Sequence, residues 1–428
     1  MKLFGSMNVR DNCLTIGGKK VTNLVKKYGT PLYVMDEELI RSTCRAYVNS
    51  MGANNRVAYA GKAFLTLAMC ELIHEEGLWL DVVSGGELYT AYKADFPMDK
   101  VYFHGNNKTL EEINLGIKTG VGRFVIDNDL ELENVNRVAG MYGRVQKVLL
   151  RVTPGIEAHT HEYIKTGQLD SKFGIASLGD NLINIVKKAI ELPNIQLMGL
   201  HCHIGSQIFE TEPYEEAADI MVGFMKEITD NTGYSLEELD LGGGFGIYYN
   251  EGDLPKTPEE YCSAIRKAVE LECIKNDIKV PILIIEPGRS IVGNAGITLY
   301  TIGSIKEIPD INKYVAVDGG MTDNIRPALY SADYGCLVAN RMLQSCSESV
   351  TISGKCCESG DILIKNASIP QVVSGDILAV MSTGAYCYSM SSNYNKIPKA
   401  AVVMVSEDRE RLICKRESYE DIIKNEIR

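Results

Sequence analysis

The sequence predicts an α/β protein: a closed (β/α)8 barrel joined to an all-β C-terminal domain. Three observations carry this expectation. From about residue 55, short β-branched runs alternate with segments of helical period, eight times over. After about residue 295 the alternation stops, and strand-like runs follow one another with turns between them. No run is followed by the GxGxxG fingerprint of a dinucleotide fold, so a closed barrel is preferred to an open doubly wound sheet.

The elements follow in order. Residues 1–35 hold two strand-like pieces, NCLTIGGKKV and TPLYVMD, expected to pack with the C-terminal β domain. The barrel is assigned to 36–290, with strands at 57–62, 79–84, 100–105, 123–128, 147–153, 196–203, 237–242 and 280–286. Helices fall between them. The stretch 109–119 opens with Thr and Glu at capping-box spacing, and 213–230 opens with Pro in its first turn. The β domain, 291–428, is expected to hold strands at 297–308, 314–318, 349–353, 376–382 and 400–405.

A chain of 428 residues with 45% apolar and 23% charged residues can bury a sizeable core in two domains. Acidic residues outnumber basic ones, 56 to 44, for a net charge of −12. That balance argues against nucleic acid or an anionic membrane as partner, and an anionic substrate would need a locally basic pocket. The opening MKLFGSMNVRDN lacks a signal-peptide core, and no apolar run is long enough to span a bilayer. Twelve cysteines without CxxC spacing suggest reduced thiols in a cytoplasmic setting, not disulfides or a zinc site.

Chemistry in such a barrel gathers where the strands end. Those ends carry Lys62, Ser84, His104, Asp127, Arg151, His203 with Ser206, Gly242 to Gly244, and Glu286 with Arg289. Lys62 closes the apolar run VAYAGK; it is either a snorkelling lysine or a partly buried amine able to form a Schiff base. Three glycines in LDLGGGFGI suit backbone amides converging on a phosphate, although a tight turn needs one or two of them. In IIEPGRS, Pro287 and Gly288 bend the chain between a carboxylate and a guanidinium, which are an ion pair or two site groups. His201 and His203 would share a strand face, so a metal pair is conceivable. No third ligand arrives at usual spacing, and His159 and His161 lie in a polar loop. No metal is expected, and His203 is read as an imidazole stacked on a flat ligand with Ser206 near a phosphate. Three polar segments, MTDNIRPALY, KCCESGD and TGAYCYSMSSNYN, are either surface loops or site elements of the β domain.

Taken together, YAGKA, HCHIGSQ, LGGGFG, EPGRSIV, DNIRPALY, CESGD and GAYCYSMSSNYN resemble the fold-III pyridoxal phosphate decarboxylases nearly end to end. The combination of IRPALY, CESGD and SMSSNYN is similar to the diaminopimelate branch. The resemblance implies a barrel of alanine-racemase type and pyridoxal 5'-phosphate carried on Lys62. It implies His203 against the cofactor ring, Glu286 at the pyridine nitrogen, and Ser206, Gly242, Gly243, Gly244, Arg289 and Tyr386 at or near the phosphate, with Pro287 and Gly288 in the same segment. Arg289, Arg326, Tyr330, Glu358 and Tyr386 would contact substrate. Lys62, His203, Glu286 and Cys357 form the implied catalytic set. Cys357 and Glu358 of the partner subunit would complete each site of a homodimer, with Cys356 as a competing thiol.

The implied reaction is decarboxylation of meso-2,6-diaminopimelate to L-lysine. The alternative is the same chemistry on ornithine, arginine or carboxynorspermidine. A catalytically silent paralogue is opposed by intact Lys62, Glu286 and Cys357, and a metal-dependent aldolase by its missing ligands. Charge favours diaminopimelate, because arginines suit a distal carboxylate that ornithine lacks, and Glu358 suits the distal ammonium.

Overall fold

Eight parallel strands close on themselves in the first of two units. The computed structural model describes residues 2–155, 172–176 and 179–428, so His159 and His161 lie outside the described residues. The barrel strands are Arg56–Ala60, Trp79–Val82, Val101–Phe103, Arg123–Ile126, Gln146–Thr153, Ile195–His201, Glu238–Asp240 and Ile282–Ile285. Each pairs in parallel with the next, and the eighth returns to the first, Ile284 with Arg56 and Ile285 with Val57. The barrel expected from the alternating rhythm is present. This unit comprises Thr43–Gly246 and Pro255–Gly288; the second comprises residues up to Ser42, Ile247–Leu254 and Arg289–Arg428.

Local signals fix the helices around the barrel. Thr109 and Glu112 form the capping box that their spacing predicts, opening helix Leu110–Thr119. Helix Glu212–Thr232 carries Pro213 in its first turn. A second capping box, Thr257 with Glu260, opens Pro258–Lys275.

The N-terminal end of the barrel is shut by charge. Arg56, Arg123 and Glu238 each begin a strand. Glu238 Oε1 lies 2.6 Å from Arg56 Nη1 and 2.7 Å from Arg123 Nη2. Both guanidiniums lie over the Trp79 ring, at 4.3 and 5.3 Å. Burial opposes ionisation of Glu238, but the two arginines hold its carboxyl below the usual carboxylate range. Above this plug, Ala58, Tyr102, Val125, Leu149 and Ile284 form an apolar core.

At the opposite end the ladder stops sooner than expected. Strands expected to reach 62, 203 and 242 end at Ala60, His201 and Asp240. There the chain bends out towards the following helices, so Lys62 sits in the 3-10 turn Gly61–Ala63 and His203 in a loop. His201 and His203 therefore do not share a strand face.

In the second unit, Leu32–Asp36 is a central strand, antiparallel to Gly296–Ile308 and parallel to Ala401–Val405. Asn312–Val317, Glu348–Ser353 and Ile377–Val380 match the other expected strands. Cys336–Val338, Ile362–Ile369 and Glu410–Cys414 were not foreseen from the pattern. The first is three residues long, and the other two mix Lys, Asn, Arg or Glu with apolar residues, so neither offers a clear apolar run. Leu14, Val34, Leu299 and Val403 share the core of this unit. All twelve cysteines are free and most are buried. No helix among the described residues is long and apolar enough to cross a membrane.

Replacing Glu238 with Ala leaves two guanidiniums without their shared anion, and should cost about 3–5 kcal/mol in urea unfolding. A loss under about 1 kcal/mol, the scale of a surface pair, would contradict the network's role.

Candidate active site

One carboxylate organises the mouth of the barrel. Glu286 follows the eighth strand and is buried, with Oε1 2.8 Å from His104 Nε2 and Oε2 3.4 Å from His201 Nε2. Burial alone would protonate it, but the two imidazoles hold it well below the usual carboxylate range. Asp240 shows the converse: burial and the Glu286 charge push its carboxyl well above that range. His201 is lowered to about 3 by burial and stays neutral. Ligand atoms of His104, His201, Asp240 and Glu286 lie within 4.8 Å of one another. The 2.8 Å approach of His104 lacks hydrogen-bond alignment, and Glu286 Oε1 has no hydrogen-bond partner among the described residues.

Lys62 follows the first strand and is half-buried. Burial raises the carboxyls of Asp81 and Glu87, the latter to about 7, and the Lys62 charge partly offsets this; after burial, Lys62 also helps keep the His203 imidazole neutral. The Pro287–Gly288 bend lies against the end of the Lys62 strand: Ala60 N donates to Pro287 O at 3.1 Å, and a Cβ on Gly288 would stand 2.9 Å from Ala60 Cβ.

Each glycine of the 242–244 run has a packing reason. A Cβ on Gly242 would stand 2.6 Å from Cys202 O, and one on Gly243 or Gly244 would collide with Glu286 O or Gly205 O. Three glycines are thus required by close backbone approach, and their number does not by itself argue for phosphate. The run also fixes His203, whose Nδ1 accepts from Gly243 N at 3.3 Å. Ser206 lies half-buried in the following loop.

The second unit holds the other expected residues. Arg289 is buried and donates to the Tyr249 hydroxyl at 2.7 Å, while Glu286 is among its histidines; the two groups of EPGR take different partners. Arg326 is buried, and Tyr386 lies beneath both guanidiniums, 4.7 Å from Arg289 Cζ and 5.6 Å from Arg326 Cζ. Tyr330 lies 5.2 Å from Arg326 Cζ. Tyr386 has φ +61°, a strained conformation for an aromatic residue, of the kind that clusters at functional sites. Cys357 and Glu358 are exposed, and Cys357 N donates to Asn395 Oδ1 at 2.8 Å. Cys356 is half-buried, and burial with Asp361 nearby raises its thiol to about 11. That contrast favours Cys357 as the available sulfur.

Two carboxyls were missed in the sequence. Asp81 and Asp240 sit inside apolar strands, WLDV and ELD, and are buried. A carboxyl in a strand with no basic neighbour is the signal that could have found them.

The family described as pyridoxal-dependent decarboxylase, pyridoxal binding domain, matches residues 37–293. The chain belongs to the pyridoxal-dependent decarboxylases. It is 49% identical to a diaminopimelate decarboxylase of Bacillus subtilis, over 97% of this chain and 95% of that one. It is 46% identical to that of Staphylococcus aureus, over 97% and 98%. Its fold matches a diaminopimelate decarboxylase from M. jannaschii, in co-complex with L-lysine, with a TM-score of 0.92 and 36% identity over 99% and 98% of the chains.

The residues at the barrel mouth of this decarboxylase fit pyridoxal phosphate. The cofactor's aldehyde needs an amine, which Lys62 can offer. Its pyridine N–H needs a buried acceptor, and Glu286 Oε1 is one without a hydrogen-bond partner among the described residues. Borohydride reduction of the cofactor-loaded enzyme is expected to leave the pyridoxyl group on Lys62, as read by peptide mass spectrometry. Its appearance on another lysine would overturn that assignment.

Proposed function

We propose that this decarboxylase converts meso-2,6-diaminopimelate to L-lysine and carbon dioxide, with pyridoxal phosphate held on Lys62. The observation that carries the substrate reading is Arg326. It is buried, yet among the described residues neither terminal nitrogen makes a hydrogen bond and no acid pairs with it. A buried guanidinium without an anion is costly, and a substrate carboxylate would complete it. Relatives bearing the diaminopimelate decarboxylase name support the same reading.

When bound, pyridoxal phosphate supplies the electron sink for the bond to the departing carboxylate. Glu286, ionised, holds a proton at the pyridine nitrogen. His203, kept neutral, offers a flat face that adds no competing charge. Ser206, Gly242 to Gly244, Arg289 and Tyr386 serve the phosphate, and Pro287 and Gly288 set the bend beside them. Arg289, Arg326, Tyr330 and Tyr386 bind the substrate, with the Arg326 fork on the distal carboxylate. Glu358 takes the distal ammonium, and Cys357 returns a proton to the carbon that lost its carboxylate. In this reading 36–290 binds the cofactor, and 291–428, packed with the strands of 1–35, supplies substrate contacts. The protein works as a cytoplasmic homodimer, with Cys357 and Glu358 of the partner subunit completing each site.

Carbon dioxide release across a substrate panel tests the reaction. Diaminopimelate should be consumed with matching L-lysine formation. Ornithine, arginine and carboxynorspermidine should be turned over less efficiently, by roughly 10- to 150-fold for one lost charge-assisted contact of about 1.5–3 kcal/mol. Preference for any of these three would install the alternative.

The shared site has its own test. Lys62→Ala and Cys357→Ala proteins, each nearly inactive, are mixed under conditions that exchange subunits. Random pairing makes roughly half the dimers mixed, each with one intact site, so about a quarter of wild-type activity should return. Exchange without recovered activity would mean that Cys357 acts within its own subunit or not at all.

A further inference from the structure

Arg326 is not simply left open; it is aimed. Its Nε donates to the Tyr334 hydroxyl at 2.9 Å, and no other side-chain hydrogen bond of Arg326 exists among the described residues. Tyr334 is buried, and burial raises its hydroxyl well above the ordinary tyrosine value, so it keeps its proton. Among the described residues that proton has one partner within reach, Cys387 Sγ at 3.7 Å. Cys387 is also buried, and its own S–H points to Ala385 O at 3.6 Å. The Cys387 sulfur is therefore the acceptor, and the chain of donors has one direction: Arg326 to Tyr334, Tyr334 to Cys387, Cys387 to a backbone carbonyl.

The consequence for Arg326 is geometric. A guanidinium offers five N–H groups in a planar fork. Holding Nε from behind fixes the plane and leaves both terminal nitrogens for a bidentate anion. Arg289 is tied differently, because Tyr249 accepts from one of its terminal nitrogens, Nη1. Tyr249 and Tyr334 meet edge to face at 5.3 Å, so the two tyrosines that tie the arginines also pack on each other.

We propose that Tyr334 is a positioning residue for substrate specificity, holding Arg326 so that its terminal nitrogens form a fork for the carboxylate that survives the reaction. The proposal rests on the reading of Arg326 as the distal carboxylate's partner. L-Lysine keeps that carboxylate, and cadaverine, its decarboxylated analogue, lacks it. A defect in the fork must therefore show against the first and not the second.

The test uses cofactor-loaded, full-length Tyr334→Phe, which keeps the ring and removes only the hydroxyl. The KM for diaminopimelate and the inhibition constant of L-lysine should each rise roughly tenfold, the scale of one lost hydrogen bond to a charged group. The kcat should stay within about twofold, as should the inhibition constant of cadaverine. A fall in kcat at unchanged KM, or equal weakening of lysine and cadaverine, would overturn the proposal. Arg326→Ala, measured in parallel, separates the two levels. If it weakens lysine selectively and Tyr334→Phe does not, the positioning role alone fails. If Arg326→Ala leaves lysine binding unchanged, the substrate reading beneath it fails as well. Should Tyr334→Phe not fold, Cys387→Ala removes the next acceptor and is judged by the same selective loss of lysine.

Discussion

The proposed chemistry of this protein depends on keeping one carboxylate ionised where burial would neutralise it. Glu286 has almost no exposed surface, and desolvation alone favours its acid form. His104 and His201 supply the opposing polarity, while burial and the Glu286 charge push the Asp240 carboxyl the other way. The arrangement keeps Glu286 negative among the buried groups of the barrel mouth, and the proposed mechanism assigns that charge to the cofactor's pyridine nitrogen. Rigid strands set the spacing. Asp240 ends the seventh strand, Glu286 follows the eighth, and Glu286 N is tied to Gly242 O at 2.8 Å.

Charge is handled differently at the two ends of the barrel and in the second unit. At the N-terminal end, Glu238 is paired with both Arg56 and Arg123. At the mouth, an acceptor atom of Glu286 is left without a hydrogen bond among the described residues. In the second unit, Arg326 is buried and its terminal nitrogens make no hydrogen bond among the described residues. In the proposed mechanism these two incompletely paired groups are the ones that ligand groups complete. A chain with net charge −12 can in this way still offer a local basic contact to the substrate carboxylate that the proposed reaction requires. The basic contacts are few, buried and local.

Much of this was legible in the sequence, and the rest failed for identifiable reasons. The barrel was legible because its strands are apolar runs and several helices carry their own start signal, as at Thr109 and Thr257. Lys62 and Glu286 stood out because strand ends in a core need no charged residue. Asp81 and Asp240 did not, since their role depends on neighbours far along the chain. His203 was placed on a strand because HCHIG continues an apolar run, whereas the ladder stops at His201. The glycines suggested phosphate by their number, but backbone crowding at Cys202, Gly205 and Glu286 already demands them. Tyr334 was invisible: SADYGC reads as a turn, and only the fold brings its hydroxyl to Arg326.

Isotope-edited infrared spectroscopy of the carboxyl groups tests the central claim most directly. Protein with 13C-labelled Glu side chains, compared with the same protein carrying Glu286→Gln, isolates the Glu286 band at neutral pH. A carboxylate stretch that vanishes in the variant, with a protonated-acid stretch for 13C-labelled Asp240 assigned through Asp240→Asn, is the predicted result. A protonated-acid stretch for Glu286, or a carboxylate stretch for Asp240, would contradict the account, because the charge on which the cofactor's electron sink depends would then lie elsewhere.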